Sequence, residues 1–347
     1  MMMSASLAEL APERRLRRLE LSVTRRLDGL LHGQYLGLLP GVGSEPSGSR
    51  EYRPGEDEVR RMDWAVTART TVPHVRTMDA DRELATWVLF DGTPSMDFGT
   101  AEFEKRELAV AAVAAVGFLT AGAGNRLGAH VLHPSDHPAT ALDRTKGRPA
   151  GVRRFPARTG RTHLLGMLRT LLAIPRGAPA SGAPAFADAV EGLHRAVRRR
   201  GLVVLVGDFL DGLDEDGLGA EPPDWERPLR RLAARHQVLA VQITDPRERE
   251  LPDVGLLTLV DPETGRRREV SSASRRLRER YAEAARIQQR TIASALRRSG
   301  ATHLPLRTDG DWIADIVRHV HAQRRLSRAA RRPAIQPPHH RLDGGSS

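Results

Sequence analysis

Asp91, Thr93 and Ser95 stand at alternate positions in WVLFDGTPSMDFG (Trp87–Gly99), directly after an apolar run. A carboxylate and two hydroxyls are hard oxygen ligands, suited to Mg²⁺ or Mn²⁺ and not to zinc. Magnesium prefers octahedral geometry at about 2.0–2.1 Å and keeps several waters, so two or three protein ligands suffice. A further hydroxyl, Thr162 in GRTHLL, and a second acid, Asp208 in VVLVGDF, complete the candidate set. The competing reading is local: Thr93 or Ser95 caps a helix and Asp91 bonds to backbone amides.

These residues need elements that bring them to one place. ATWVLFD and GLVVLVGDF are continuous apolar strands, each ending in an aspartate. A long helix is predicted over residues 102–120, and further strands at RLGAHVLH, GVRRFPA, QVLAVQIT and THLPL. Helical patterns cover 162–174, 186–200, 225–236, 273–299 and 310–323, and a hairpin turns at Pro262–Gly265. Apolar strands alternating with helices predict an α/β fold with a doubly wound, mostly parallel sheet. In such sheets ligands sit beyond the carboxyl ends of the strands, where Asp91 and Asp208 fall. Ahead of this domain (83–325) the pattern predicts an amino-terminal helix (1–31) and a small β-rich module (32–82). After it, the Pro-, Gly- and Ser-rich residues 326–347 are expected to be disordered.

Composition narrows the function. The chain of 347 residues carries a formal charge of +11, and of its 54 Lys+Arg only Lys105 and Lys146 are lysine. No cysteine is present, which excludes disulfides and thiolate sites and makes the cytoplasm the expected compartment. The most apolar window, Leu108–Gly124, is rich in alanine and glycine and reads as a helix buried against a sheet, so no membrane span is expected. Clusters at Arg198–Arg200, Arg266–Arg268 and Arg331–Arg332 read as solvated helix faces and ends; the alternative is a polyanion site. A haloacid-dehalogenase-type phosphatase would need its nucleophile at Leu89, which cannot attack phosphorus. No G-x-S-x-G elbow and no phosphate-cradling G-K-[ST] loop occurs, and HPSDH (His133–His137) reads as a solvated turn.

A second signature lies upstream, in REYRPGEDEVRRMDWAVTAR (Arg50–Arg69). Pro54-Gly55 sets a turn, Asp57 and Asp63 can pair with Arg50, Arg60 or Arg69, and Trp64 offers one large apolar anchor. The segment resembles the hallmark R-x-Y-x-P-G-D-D-x-R-x-I-D-W-x-x-x-A-R of the bacterial domain-of-unknown-function family numbered 58. It matches at Arg50, Tyr52, Pro54, Gly55, Asp57, Arg60, Asp63, Trp64, Ala68 and Arg69, and departs at Glu56, at Met62 and by one extra residue before Arg60. Thr244–Gly265 is similar to a later segment of that family.

The resemblance implies a von Willebrand factor A-like domain, and Asp91-x-Thr93-x-Ser95 resembles the metal-ion-dependent adhesion signature D-x-[ST]-x-S of such domains. Its metal positions carry over as Asp91, Thr93, Ser95, Thr162 and Asp208. Family members tend to be associated with MoxR-type AAA+ ATPases in maturation or metal insertion of client proteins. Many carry amino-terminal membrane helices, of which none is evident in this sequence. The expected function is therefore a non-catalytic protein-binding module. A bound Mg²⁺ or Mn²⁺ keeps one position open for an aspartate or glutamate of a MoxR-type ATPase or an acidic client. Two alternatives stand beside it: a metal-dependent hydrolase, and a nucleic-acid binder using the arginine clusters, though no nucleic-acid partner is expected.

Overall fold

The computed structural model describes residues 49–53, 59, 62–76, 85–121, 125–133, 151–176, 185–213, 221–262 and 264–330. The predicted helix over 1–31, the turn residues Pro54, Gly55, Asp57 and Arg60, Pro134–His137, Arg331–Arg332 and the end of the tail lie outside them.

Near the start, β1 (Ser49–Glu51) pairs antiparallel with β2 (His74–Arg76), and the short helix α1 (Trp64–Thr70) lies between them in sequence. The β-like pieces expected here are present; α1 was not foreseen. Its start follows from Asp63, whose carboxylate accepts from the Val66 amide at 3.3 Å as an N-cap. Trp64 is not the apolar anchor expected of it: it is 66% exposed, and among the described residues of the module the buried apolar one is Val75.

The main domain is a six-stranded sheet. Its strands are β3 (Ala85–Asp91), β4 (Arg126–Leu132), β5 (Val152–Arg158), β6 (Leu202–Gly207), β7 (Gln237–Thr244) and, separated by a hairpin, β10 (Thr302–Arg307). The spatial order is β10-β7-β6-β3-β4-β5; all neighbours are parallel except the edge strand β5, antiparallel to β4. Pro156 in β5 is tolerated there because an edge strand can lose an amide donor.

Alternation along the strands builds two cores. Val88, Phe90, Val204 and Val206 face helices α2 (Lys105–Ala121), α3 (Arg161–Leu172) and α7 (Trp312–Ala330). Leu89, Val203 and Leu205 face α4 (Phe186–Ala196), α5 (Glu226–Arg235) and α6 (Arg275–Arg298). The fold is thus the expected doubly wound α/β sheet. Each such buried Val, Leu or Phe contributes about 1.5–3 kcal/mol of apolar transfer.

Helix α2 explains the alanine-rich window. Leu108 to Val116 are all buried, because the helix lies between the sheet and α3 and must be small on every side. No described helix is long and apolar enough to cross a membrane. Helix α7 runs through Ala330, so residues 326–330 continue a helix where disorder was expected. The predicted hairpin is present as β8 (Leu256–Val260) and β9 (Arg267–Ser271).

Candidate functional site

Asp91 is the last residue of the central strand β3, and its neighbour Gly92 turns the chain off the sheet. The Gly92 amide donates to the Leu132 carbonyl at 2.8 Å, and a Cβ there would stand 2.6 Å from that oxygen, so only glycine makes the turn. The next residues fold back over the strand end as a 3₁₀ turn, Pro94–Asp97. Thr93 donates to Asp91 Oδ1 twice, from its amide at 3.0 Å and its hydroxyl at 2.7 Å. Thr93 Oγ1 and Ser95 Oγ lie 3.1 Å apart. Arg106, buried at the start of α2, clamps this loop: it donates to the Gly92 carbonyl at 3.1 Å and the Ile174 carbonyl at 3.0 Å, and pairs with Asp97 at 2.7 Å.

Asp208 follows the parallel neighbour β6 and completes the rim. It is 3% exposed, as is Asp91. The Leu210 amide donates to Asp208 Oδ1 at 3.1 Å, the Lys105 ammonium to Oδ2 at 2.8 Å, and the Ser95 hydroxyl to the same carboxylate. The three residues of the first loop and Asp208 are therefore one connected cluster. Phe209, immediately after, has φ 61°, a left-handed conformation rare for a bulky residue and characteristic of functional sites. Its ring holds it there, packed edge-on to Phe186 at 5.3 Å and Trp225 at 5.6 Å.

Lys105 extends the cluster to a third loop. Its completely buried ammonium also bonds Glu248. Glu248 belongs to the Asp245-Pro-Arg-Glu turn after β7, where its carboxylate accepts from the Asp245 amide at 2.9 Å. Asp245 in turn accepts from Thr100 (amide 2.9 Å, hydroxyl 2.6 Å) and from the Thr308 hydroxyl at 2.8 Å.

The electrostatics are lopsided. Three carboxylates, Asp91, Asp208 and Glu248, face the single ammonium of Lys105, and the buried Arg106 guanidinium, itself paired with Asp97, is the second cation that acts on Asp91. Burial, followed by the repulsion of Asp208, pushes Asp91 up to about 7 against the opposing pull of the Thr93 bonds and Lys105. Burial works the same way on Asp208, but Lys105, Leu210 and Ser95 outweigh it and hold that carboxyl below its ordinary value. Glu248 is raised by burial and by Asp208. Burial alone would lower Lys105, yet its two acids raise it above an ordinary lysine, so it is a fixed cation and not a general base at neutral pH. Two hydroxyls and two buried carboxylates short of positive charge fit a small, hard dication. Among the described residues no group of three or more His, Asp or Glu side chains could hold a metal ion, so such a cation would depend on the hydroxyls.

Four of the five expected ligands thus gather: Asp91, Thr93, Ser95 and Asp208. Thr162 does not join them. It is exposed in the first turn of α3, and the adjacent His163 ring donates to the Leu127 carbonyl at 2.9 Å, near the amino end of β4. Asp91 is level with Leu132, five residues along that strand, which is roughly 16 Å away at about 3.3 Å per residue. The cause is the direction of β5: running antiparallel, it delivers the chain to the opposite rim. The sequence reading missed Lys105 and Glu248, although Lys105 carried a signal as one of two lysines in an arginine-dominated chain. Of the upstream signature, Asp63 caps α1, Arg69 Nε donates to the Ala65 carbonyl at 3.1 Å, and the Tyr52 amide to Pro73 at 2.8 Å, all structural roles.

Gly207 offers a local check. A Cβ there would approach Asp91 Cβ at 2.8 Å and Oδ2 at 2.9 Å. Gly207→Ala is expected to destabilise the fold by about 1–3 kcal/mol through overpacking, read as a lowered melting midpoint.

Comparison with known proteins places the chain. It is 52% identical over 310 residues to uncharacterized proteins of Mycobacterium tuberculosis and Mycobacterium bovis, covering 89% of this chain and 89% of each. Similar solved structures include the conserved hypothetical protein BatB from Bacteroides thetaiotaomicron (12% identity, TM-score 0.40, 70% of this chain and 99% of that one). Another is a von Willebrand factor type A protein from Catenulispora acidiphila (13% identity, TM-score 0.32, 72% and 45%). The family model described as protein of unknown function DUF58 matches residues 48–291, and the chain belongs to that family.

Proposed function

We propose that this protein is a non-catalytic protein-binding module whose rim site, built from Asp91, Thr93, Ser95 and Asp208, holds Mg²⁺ or Mn²⁺. When bound, the cation supplies a vertex for an aspartate or glutamate carboxylate of a partner. The observation that supports this most is the charge imbalance: four acids, Asp91, Asp97, Asp208 and Glu248, against two buried cations, Lys105 and Arg106, with two hydroxyls beside them. Asp91 and the hydroxyls share one loop clamped by Arg106 and are the chain's own donors to the ion. Asp208, already engaged by Lys105, Leu210 and Ser95, orients that loop and adds charge.

The partner class we propose, from what the family resemblance implies, is a MoxR-type AAA+ ATPase or its acidic client, in maturation or metal insertion. A chain of net charge +11 steers an acidic partner inward. The test is affinity capture from the native cell with wild-type and Asp91→Ala bait, in magnesium and in chelator, beside melting curves under the same conditions. The wild type is expected to melt higher in magnesium and to retain an ATPase there, and the variant to do neither. Equal capture by both baits, or a wild-type melting point indifferent to magnesium, would overturn the reading.

A further inference from the structure

The hairpin of β8 and β9 stands apart from the main sheet, and among the described residues its strands pair only with each other. Two-stranded ribbons are marginal alone in water, and each outer edge presents unpaired backbone groups. The base of this one is well anchored. Buried Ser272 donates to the Gly255 carbonyl from its amide at 2.6 Å and its hydroxyl at 2.8 Å, and accepts from the Val254 amide at 3.1 Å. Arg278 ties the Ser272 carbonyl and Asp253 to α6. The ribbon emerges after the Asp245–Glu248 turn, on the rim that carries Asp208.

The two edges are guarded differently. Strand β9 carries Arg267, Arg268 and Glu269, all exposed, the kind of charge with which natural edge strands repel a newcomer. Strand β8 reads Leu-Leu-Thr-Leu-Val, with neither charge nor proline. Leu256 is 70% exposed, Val260 53% and Leu259 37%, preceded by Val254 at 60%.

The sequence of β8 is nearly the same in both directions. Laid antiparallel on a copy of itself about Thr258, it sets Leu256 against Val260, Leu257 against Leu259 and Thr258 against Thr258. Every opposed pair is apolar on apolar or hydroxyl on hydroxyl, pairs that contribute roughly 0.2–1 kcal/mol each. The same operation on β9 sets Glu269 against itself, which repels.

We infer that the outer edge of β8 pairs antiparallel with β8 of a second copy of this chain, about a two-fold axis at Thr258. The product is a four-stranded sheet, ordered β9-β8-β8-β9, with an isologous interface. Five paired residues per chain fall short of a standard interface of about 1,200–2,000 Å², so the dimer is weak and concentration-dependent.

The absence of cysteine makes the test clean. Directly opposed residues of an antiparallel pair have Cα atoms about 4.5–5.5 Å apart, inside the disulfide range of about 4.4–6.8 Å. Thr258→Cys is therefore expected to give a covalent dimer under mild oxidation, at concentrations where Thr264→Cys, at the hairpin tip, stays monomeric. In sedimentation velocity the wild type should shift toward dimer as concentration rises. Thr258→Arg, which opposes two positive charges at the axis, should stay monomeric with an unchanged circular dichroism spectrum. A wild type monomeric at every concentration, a Thr258→Arg variant that dimerises as well as the wild type, or cross-linking no faster than at Thr264 would each overturn the inference.

Discussion

Replacing Lys105 by methionine is expected to lower stability by about 3–5 kcal/mol, the usual consequence of removing one partner of a buried ion pair. In a domain of this size that is a fall in melting midpoint of roughly 10 °C. The shape of methionine is close enough that packing is kept; what is lost is the only ammonium between Asp208 and Glu248. Arginine is not a conservative rescue, because a planar guanidinium cannot take the place of a compact ammonium at complete burial. The sign with pH follows from the raised lysine: its stabilisation is complete below the unfolded value of 10.5 and is lost only as pH rises beyond the still higher folded value. Titration of the lysine itself therefore adds no slope between about pH 6 and 9. The acids that Lys105 holds down rise once it is gone, however, so the deficit of Lys105→Met should widen with pH in denaturant titrations. Magnesium should restore part of it, since a dication relieves the same uncompensated acids. A variant that melts with the wild type would mean that Lys105 is not the counter-charge of this rim.

Asp91→Asn is expected to do the opposite in chelator: it should stabilise the protein at neutral and alkaline pH. Asp91 is pushed up to about 7 from 3.8, so ionising it in the folded state is unfavourable. Below the unfolded value both states hold the proton and the carboxyl is neutral in its effect. As pH rises from about 4 toward 7 the unfolded chain ionises first, and folding loses stability through that window. The amide removes the loss, a gain on the order of 2–4 kcal/mol above pH 7 that vanishes near pH 4. Its oxygen can still accept both Thr93 bonds. The same change removes the charge a cation needs, so the stabilised variant should no longer respond to magnesium. Paired denaturant titrations at acid and alkaline pH, with and without magnesium, separate the two effects. Lower stability than the wild type in chelator at pH 8 would mean that Asp91 is not a strained acid.

Much of this arrangement is legible in the chain. ATWVLFD and LVVLVG are apolar on both faces and end at a rim, which is why Asp91 and Asp208 can be placed there from the strand pattern. The alanine run of α2 announced a helix with neighbours all round it. Thr162 shows where periodicity gives out. Nothing in GVRRFPA says whether it runs with or against β4, and that direction decides which end of the sheet the next loop reaches. Helix α1 was hidden because its seven residues are too few for an apolar stripe and none is buried. Glu248 was unreadable for another reason: its partner lies 143 positions away, and only packing brings them together.

The sealed position of Lys105 has a practical side. Reagents that acylate primary amines would find this side chain inaccessible, with Lys146 the one other lysine of the sequence. Amine-directed cross-linking is thus nearly blind to the protein's contacts, whereas carboxylate- or guanidinium-directed chemistry is not.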